Sequence, residues 1–230
     1  MSTNDDEREA GVHALPITVE YGGRELTITP TLVETDRGPI LIDTGPRGSL
    51  DGLRTHLRSL GYELTDLWLV ILTHHDGDHA GGLAELLERV DAAVATHREE
   101  APYVSGEREP IKGDGDRYPP VHVDIELADG VRFPTLAGPM TVVATPGHAP
   151  GHVSLYLPDG KLLIAGDALV ADGDAPLDGP KPRFTPEMDR ALESVGTLAA
   201  LAVDHTVCYH GGYVNHGPDL IRERYDQLRE

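Results

Sequence analysis

The chain has 230 residues, enough for one large domain with a substantial buried core. It carries 39 acidic against 19 basic side chains, a formal net charge of −20; that excess excludes a general nucleic-acid or anionic-lipid surface, which needs a basic footprint. A single cysteine, Cys208, excludes an internal disulfide, and no apolar run approaches the roughly 20 residues that span a bilayer. The opening stretch, Met1 to Arg8, lacks the basic and apolar regions of a signal peptide, so a cytoplasmic protein without membrane or nucleic-acid partners is expected. Only three basic residues are lysines (Lys112, Lys161 and Lys181). A Lys-poor, acid-rich coat resembles adaptation to high salt, where screening tames self-repulsion.

Residues 1–13 are polar and acidic and are expected to be flexible, which leaves 14–230 as one domain. Leu15 to Glu20 alternates apolar and polar as a half-buried strand does, and Tyr21-Gly22-Gly23-Arg24 reads as a hairpin turn. Thr31 to Thr35 and Ile40 to Asp43 are two more strands. Asp43-Thr44-Gly45 closes the second of these; a carboxylate there reads either as a turn residue bonding its own backbone or as support for a nearby site. Leu50, Leu53, Leu57 and Leu60 fall at helical spacing, with Gly61 as the stop. Leu67 to Leu72 is a fully buried strand.

That strand runs into Thr73-His74-His75-Asp76-Gly77-Asp78-His79-Ala80-Gly81-Gly82. Five side chains with metal-ligand chemistry fall within six residues. Carboxylates so close together repel, and imidazoles rarely cluster in a core unpartnered; a bound cation removes both objections. The spacing suits nitrogen and oxygen ligands of a transition metal rather than a solvated acidic loop.

A helical pattern follows to near Val90, and Ala92 to Thr96 is another strand, an α/β alternation. Residues 98–120 interrupt it with charge, Gly and Pro, an insert that reads as a functional lid or a tether. Within it, Tyr103 reads as an anchor that buries its ring, and Lys112 is the other residue singled out. Strands resume at Val121 to Leu127, Met140 to Thr145, Val153 to Leu157 and Lys161 to Ala165. Thr185 before Pro186 predicts a helix start running to about Leu201. Cys208 lies in a last core strand and reads as buried rather than nucleophilic. Pro218 to Leu228 is a final helix. Two runs of strands finished by helices predict two sheets face to face with helices outside.

Three more segments set His or Asp beside Gly after a strand. They are Thr145-Pro146-Gly147-His148-Ala149-Pro150-Gly151-His152, Ala165-Gly166-Asp167-Ala168 and Tyr209-His210-Gly211-Gly212. Each alone reads as a turn; together they offer further ligands where small residues let backbone approach an ion.

With these segments the sequence resembles the metallo-β-lactamase superfamily, whose mark is a His-x-His-x-Asp-His motif followed by three separated ligands. The resemblance runs from about residue 15 to 217 and is most similar to glyoxalase II and acyl-homoserine-lactone lactonase-like hydrolases. The insert and the ending Cys208-Tyr209-His210-Gly211-Gly212 look like a subgroup of small bacterial and archaeal hydrolases. The fold implied is α/β, a four-layer αββα sandwich of two mixed β-sheets. The resemblance assigns His74, Asp76 and His148 to a first metal and Asp78, His79 and His210 to a second, bridged by Asp167. His75 points away, and His152 and Asp43 support the ligands. Asp76 departs from the motif, which has His there. The implied cofactors are two divalent transition metal ions, zinc first, with iron or manganese brought into range by the harder carboxylate.

The reaction implied is hydrolysis of a small molecule. A metal-bridging hydroxide, with Asp78 and Asp167 as catalytic carboxylates, attacks an ester, lactone or thioester carbonyl. No Gly-x-Ser-x-Gly nucleophile segment is present. Tyr209, Tyr213 or a metal-bound water is the expected proton donor. The alternatives are a mononuclear-iron sulfur dioxygenase, a nuclease that the −20 charge disfavours, and a non-catalytic metal-binding or sensor protein. Homodimer formation and the substrate are open.

Overall fold

The computed structural model describes residues 11–112, 117–172 and 176–229. The expected flexible N-terminus falls mainly on residues 1–10, outside that range. Val12 and His13, expected to belong to it, instead lie in a strand.

Two six-stranded sheets form the frame. The first contains β1 (Val12–Ala14), β4 (Thr31–Val33), β5 (Ile40–Ile42), β6 (Leu69–Leu72), β7 (Ala93–His97) and β8 (Ile125–Leu127), neighbours in that order. β1, β4 and β5 pair antiparallel, and β5 through β8 pair parallel. The second sheet runs β14 (Gly212–Asn215), β13 (His205–Cys208), β12 (Leu162–Gly166), β11 (Val153–Leu157), β10 (Gly138–Ala144), β9 (Arg132–Thr135). Its pairs are antiparallel except β12 with β13. β2 (Ile17–Tyr21) and β3 (Arg24–Ile28) form a separate hairpin.

The period-two side-chain alternation of strands builds the layers. Ile40, Ile42, Leu69 and Ile71 face one way and meet Val142, Val153, Leu155 and Ile164 of the second sheet in the central core. Their neighbours Leu41, Val70 and Leu72 face the other way. They are covered by Leu53 and Leu57 of α1 (Leu50–Ser59) and by Leu83 and Leu86 of α3 (Leu83–Leu87), which follows the short α2 (Gly77–Ala80). On the far side Leu163, Ala165 and Cys208 pack on Val195 and Leu198 of α5 (Met188–Leu198) and Ile221 of α6 (Leu220–Leu228). The result is the expected αββα sandwich. Each buried Leu, Ile or Val stabilises it by about 1.5–3 kcal/mol relative to exposure. Among the described residues no helix is long and apolar enough to cross a membrane.

Two elements differ from expectation. Of Val121 to Leu127 only Ile125–Leu127 is a strand; Val121 and Val123 pack against the outer core. Thr185 does not cap a helix. Its Oγ1 donates to Lys181 O at 2.9 Å, closing a 3-10 turn over Pro182–Phe184, and α5 starts only at Met188.

Strands β5, β6, β10, β12 and β13 all end at one rim. The segments that follow them hold Asp43, the His74 to His79 loop, His148, Asp167 and His210. Topology thus gathers residues far apart in sequence.

Candidate metal centre

The loop after β6 turns into α2, so His74, Asp76, Asp78 and His79 leave the chain within about one turn. His79 Nε2 lies 3.2 Å from Asp167 Oδ1. Asp167 Oδ2 lies 3.3 Å from His148 Nε2 and 3.6 Å from His210 Nε2. Asp78 Oδ2 is 3.3 Å from His210 Nε2. Two ligand groups result: His74, His148 and Asp167, and Asp78, His79 and His210, each with its ligand atoms within 4.8 Å of one another. Asp167 faces both.

The donor atoms fit a cation. His74 Nε2, His79 Nε2 and Asp167 Oδ1 are buried without a hydrogen-bond partner. An unsatisfied buried polar atom costs about 1–3 kcal/mol, and cations held by the two groups would satisfy all three.

Neighbouring residues fix which nitrogen faces inward. Thr73 donates its backbone N–H and its Oγ1–H to Asp43, both at 2.8 Å. His79 Nδ1 is 2.8 Å from Asp43 Oδ2, and His74 Nδ1 is 3.1 Å from Thr73 Oγ1. Each imidazole therefore carries its proton on Nδ1 and turns Nε2 toward the centre. His152 Nε2 accepts the backbone N–H of Asp167 at 2.9 Å, and its Nδ1 is 2.8 Å from Thr145 Oγ1. Asp43 and His152 thus lie against the candidate ligands His79 and Asp167. Gly166 needs to be glycine: its φ is +56°, and a Cβ there would meet His152 Nε2 at 2.6 Å.

Tyr209 stacks on His79 (ring centroids 3.7 Å apart) and donates its hydroxyl to Asp78 O at 2.5 Å. Burial, with Asp43, Asp78 and Asp167 nearby, pushes its hydroxyl well above the ordinary tyrosine range. Tyr213 is not brought to the ligands. Its hydroxyl is 2.7 Å from Nδ1 of His205, which begins β13, whereas His210 follows that strand's end. Cys208 is buried, and burial raises its thiol, as suits a core residue.

His75 points away from the ligands, stacked on the buried ring of Tyr103 with centroids 4.2 Å apart. Tyr103 therefore anchors the insert. Between them lies a residue that sequence reading missed. Glu100, fully buried, ion-pairs with His75 Nδ1 and accepts the backbone N–H groups of His75 (2.9 Å) and Gly151 (2.6 Å). It ties the His74 to His79 loop to the His148 loop. Within Arg98-Glu99-Glu100 nothing marks it from a solvated acid.

Asp76 lies against the first group. Its Oδ2 is 3.3 Å from His74 Nε2 and 3.1 Å from His148 Nε2, and Lys112 Nζ lies 2.5 Å away. Burial alone would raise the Asp76 carboxyl, but His74, His148 and Lys112 hold it well below the ordinary range. A cavity of about 390 Å³, lined by Pro16, Leu26, Thr29 and Asp172, opens beside His210.

The chain is similar to known proteins over most of its length. A family model described as the metallo-beta-lactamase superfamily matches residues 23–210. The probable metallo-hydrolase YflN of Bacillus subtilis is 34% identical, covering 75% of each chain. A hydroxyacylglutathione hydrolase of Ruegeria pomeroyi is 31% identical over 76% of this chain, which spans only 58% of that protein's length. An N-acyl homoserine lactonase of Bacillus thuringiensis is 30% identical, covering 73% of each chain. A solved metallo-beta-lactamase family protein from Thermus thermophilus superimposes with a TM-score of 0.74 at 26% identity, covering 95% of this chain and 78% of that one.

Proposed function

The chain belongs to the metallo-β-lactamase superfamily, and from that membership and the site geometry we propose that it is a metal-dependent hydrolase cleaving an ester, lactone or thioester carbonyl. The observation that carries the reading is the pair of ligand groups facing one shared carboxylate, Asp167. His74, His148 and Asp167, with Asp76 beside them, would hold one divalent cation. Asp78, His79 and His210 would hold the other; zinc suits the imidazoles, and iron or manganese suits the added carboxylates. When bound, such ions supply water activation at neutral pH and polarisation of the carbonyl.

The chain's own residues orient and shield. Asp43 and Thr73 hold His74 and His79 with Nε2 inward. His152 fixes the Asp167 backbone, so that Oδ1 and Oδ2 divide between the two groups. Pro16 and Leu26 give the cavity beside His210 an apolar wall for the acyl portion of a substrate. Names among the relatives, a hydroxyacylglutathione hydrolase and an N-acyl homoserine lactonase, support carbonyl chemistry of this class. The test is metal content of protein purified without chelator, with a screen of esters, lactones and thioesters, alongside His148→Ala and Asp167→Ala. Bound transition metal and hydrolysis, both reduced in the variants, are expected. Wild type without metal or hydrolysis defeats the reading.

A further inference from the structure

Lys112, one of three lysines in the chain, reaches the ligand cluster from the segment beyond α4 (Ala101–Val104). Its Nζ lies 2.5 Å from Asp76 Oδ2, 2.7 Å from His148 Nε2, 2.9 Å from His148 O and 3.1 Å from Phe184 O. These four acceptors form a cage around one positive charge. An ammonium has only donors, so when His148 Nε2 is unprotonated the two meet through its lone pair, the same lone pair a metal ion requires. Asp76 is the residue that stands where the family motif has His, and it is the one that carries the ion pair.

The two ligand groups are therefore unequal. At the first, a tethered cation holds one imidazole and the neighbouring carboxylate. A divalent ion entering there either displaces it or lies beside a like charge in a largely buried site, where repulsion is poorly screened. At the second, Asp78 and His210 form no ion pair with Lys or Arg among the described residues.

We propose that Lys112 sets metal occupancy: the Asp78, His79 and His210 position fills first, and the His74, Asp76 and His148 position fills only as Lys112 gives up its cage. The proposal rests on the metal-hydrolase reading above. The resting protein then holds one ion next to the caged ammonium. That ammonium is placed to meet the negatively charged oxygen of a substrate or leaving group.

The test is zinc titration of metal-free protein, followed by native mass spectrometry and chelator competition. Wild type is compared with Lys112→Met, which keeps most of the aliphatic stem, and Lys112→Arg, which keeps the charge. The second ion is expected to bind wild type about 10–100-fold more weakly than it binds Lys112→Met, the scale set by one like charge beside the ion in a partly screened site. Lys112→Arg is expected to follow wild type. Two ions bound with equal affinity by wild type, or an unchanged second affinity in Lys112→Met, overturns the role of Lys112 and leaves the hydrolase reading intact. No ion bound by any of the three overturns both.

Discussion

Asp43 Oδ2 and His79 Nδ1 lie 2.8 Å apart, and the pair is buried. A carboxylate can only accept, so Nδ1 carries a proton and Nε2 is the nitrogen that faces Asp167. Asp43 does this from a left-handed backbone, φ +60°, while also accepting two hydrogen bonds from Thr73. Asn tolerates that backbone. Asp43→Asn is therefore expected to fold but to bind the ion at Asp78, His79 and His210 about 10–100-fold more weakly, because an uncharged partner supports the ligand less well. Chelator competition measures this; unchanged affinity counts against the assignment.

Glu100 is the second support to test. It is fully buried, is paired with His75, and accepts N–H groups from two ligand loops. Glu100→Ala strands His75 and two backbone donors in the interior. Breaking a buried pair from one side costs about 3–5 kcal/mol, so a matching loss in urea denaturation is expected. Glu100→Gln keeps one acceptor oxygen and is expected to lose less. Equal, small losses in both would mean that the tie is not structural.

The contrast between Glu100 and the His74 to His79 loop shows what was legible in the sequence. An apolar run ending in clustered imidazoles and carboxylates has no easy structural reading, so β6 and its ligands stood out. The sandwich was legible for a similar reason: period-two strands such as β11 and period-3.6 helices such as α1 each declare a buried face. Glu100 declares nothing, since its partners are backbone N–H groups that only the fold brings near. Lys112 likewise meets Asp76 across 36 residues of chain. Tyr213 fails in the other direction, because adjacency to His210 in sequence says nothing of which end of β13 its hydroxyl reaches. Thr185 has the right local chemistry for a cap, but a tighter turn takes its hydroxyl.

Gly166 gives a prediction with an internal control. Its φ is +56°, and an added Cβ would meet His152 Nε2 at 2.6 Å, the atom that accepts from Asp167. Gly48 has φ +89° with open space around it. Gly48→Ala is expected to cost only the backbone strain, about 1–2 kcal/mol. Gly166→Ala should cost more, up to about 3 kcal/mol, and should also lower metal content, because His152 must move and Asp167 with it. Similar thermal shifts and metal contents in the two variants would show that His152 does not position Asp167.

Proton release separates the two ligand groups. In the metal-free protein burial pushes His79 down, but Asp167, Asp43 and Asp78 outweigh it and hold the imidazolium well above the ordinary range. His210 is raised in the same sense: burial opposes charge there, and Asp167 and Asp78 prevail. His74 goes the other way, held well below the ordinary range by burial and by neighbouring His79. His79 and His210 therefore hold a proton more firmly than His74 does. Imidazole binds a metal only when unprotonated, so an ion at Asp78, His79 and His210 displaces more protons than one at His74. The sign follows: apparent affinity at that position climbs as pH rises toward the raised values and falls as pH drops. Titration calorimetry at neutral pH in two buffers of different ionisation enthalpy reads this directly. The first zinc equivalent is expected to show a more strongly buffer-dependent heat than the second. A buffer-independent first equivalent would mean that the ion enters at His74 and His148, against both the charge distribution and the contacts of Lys112.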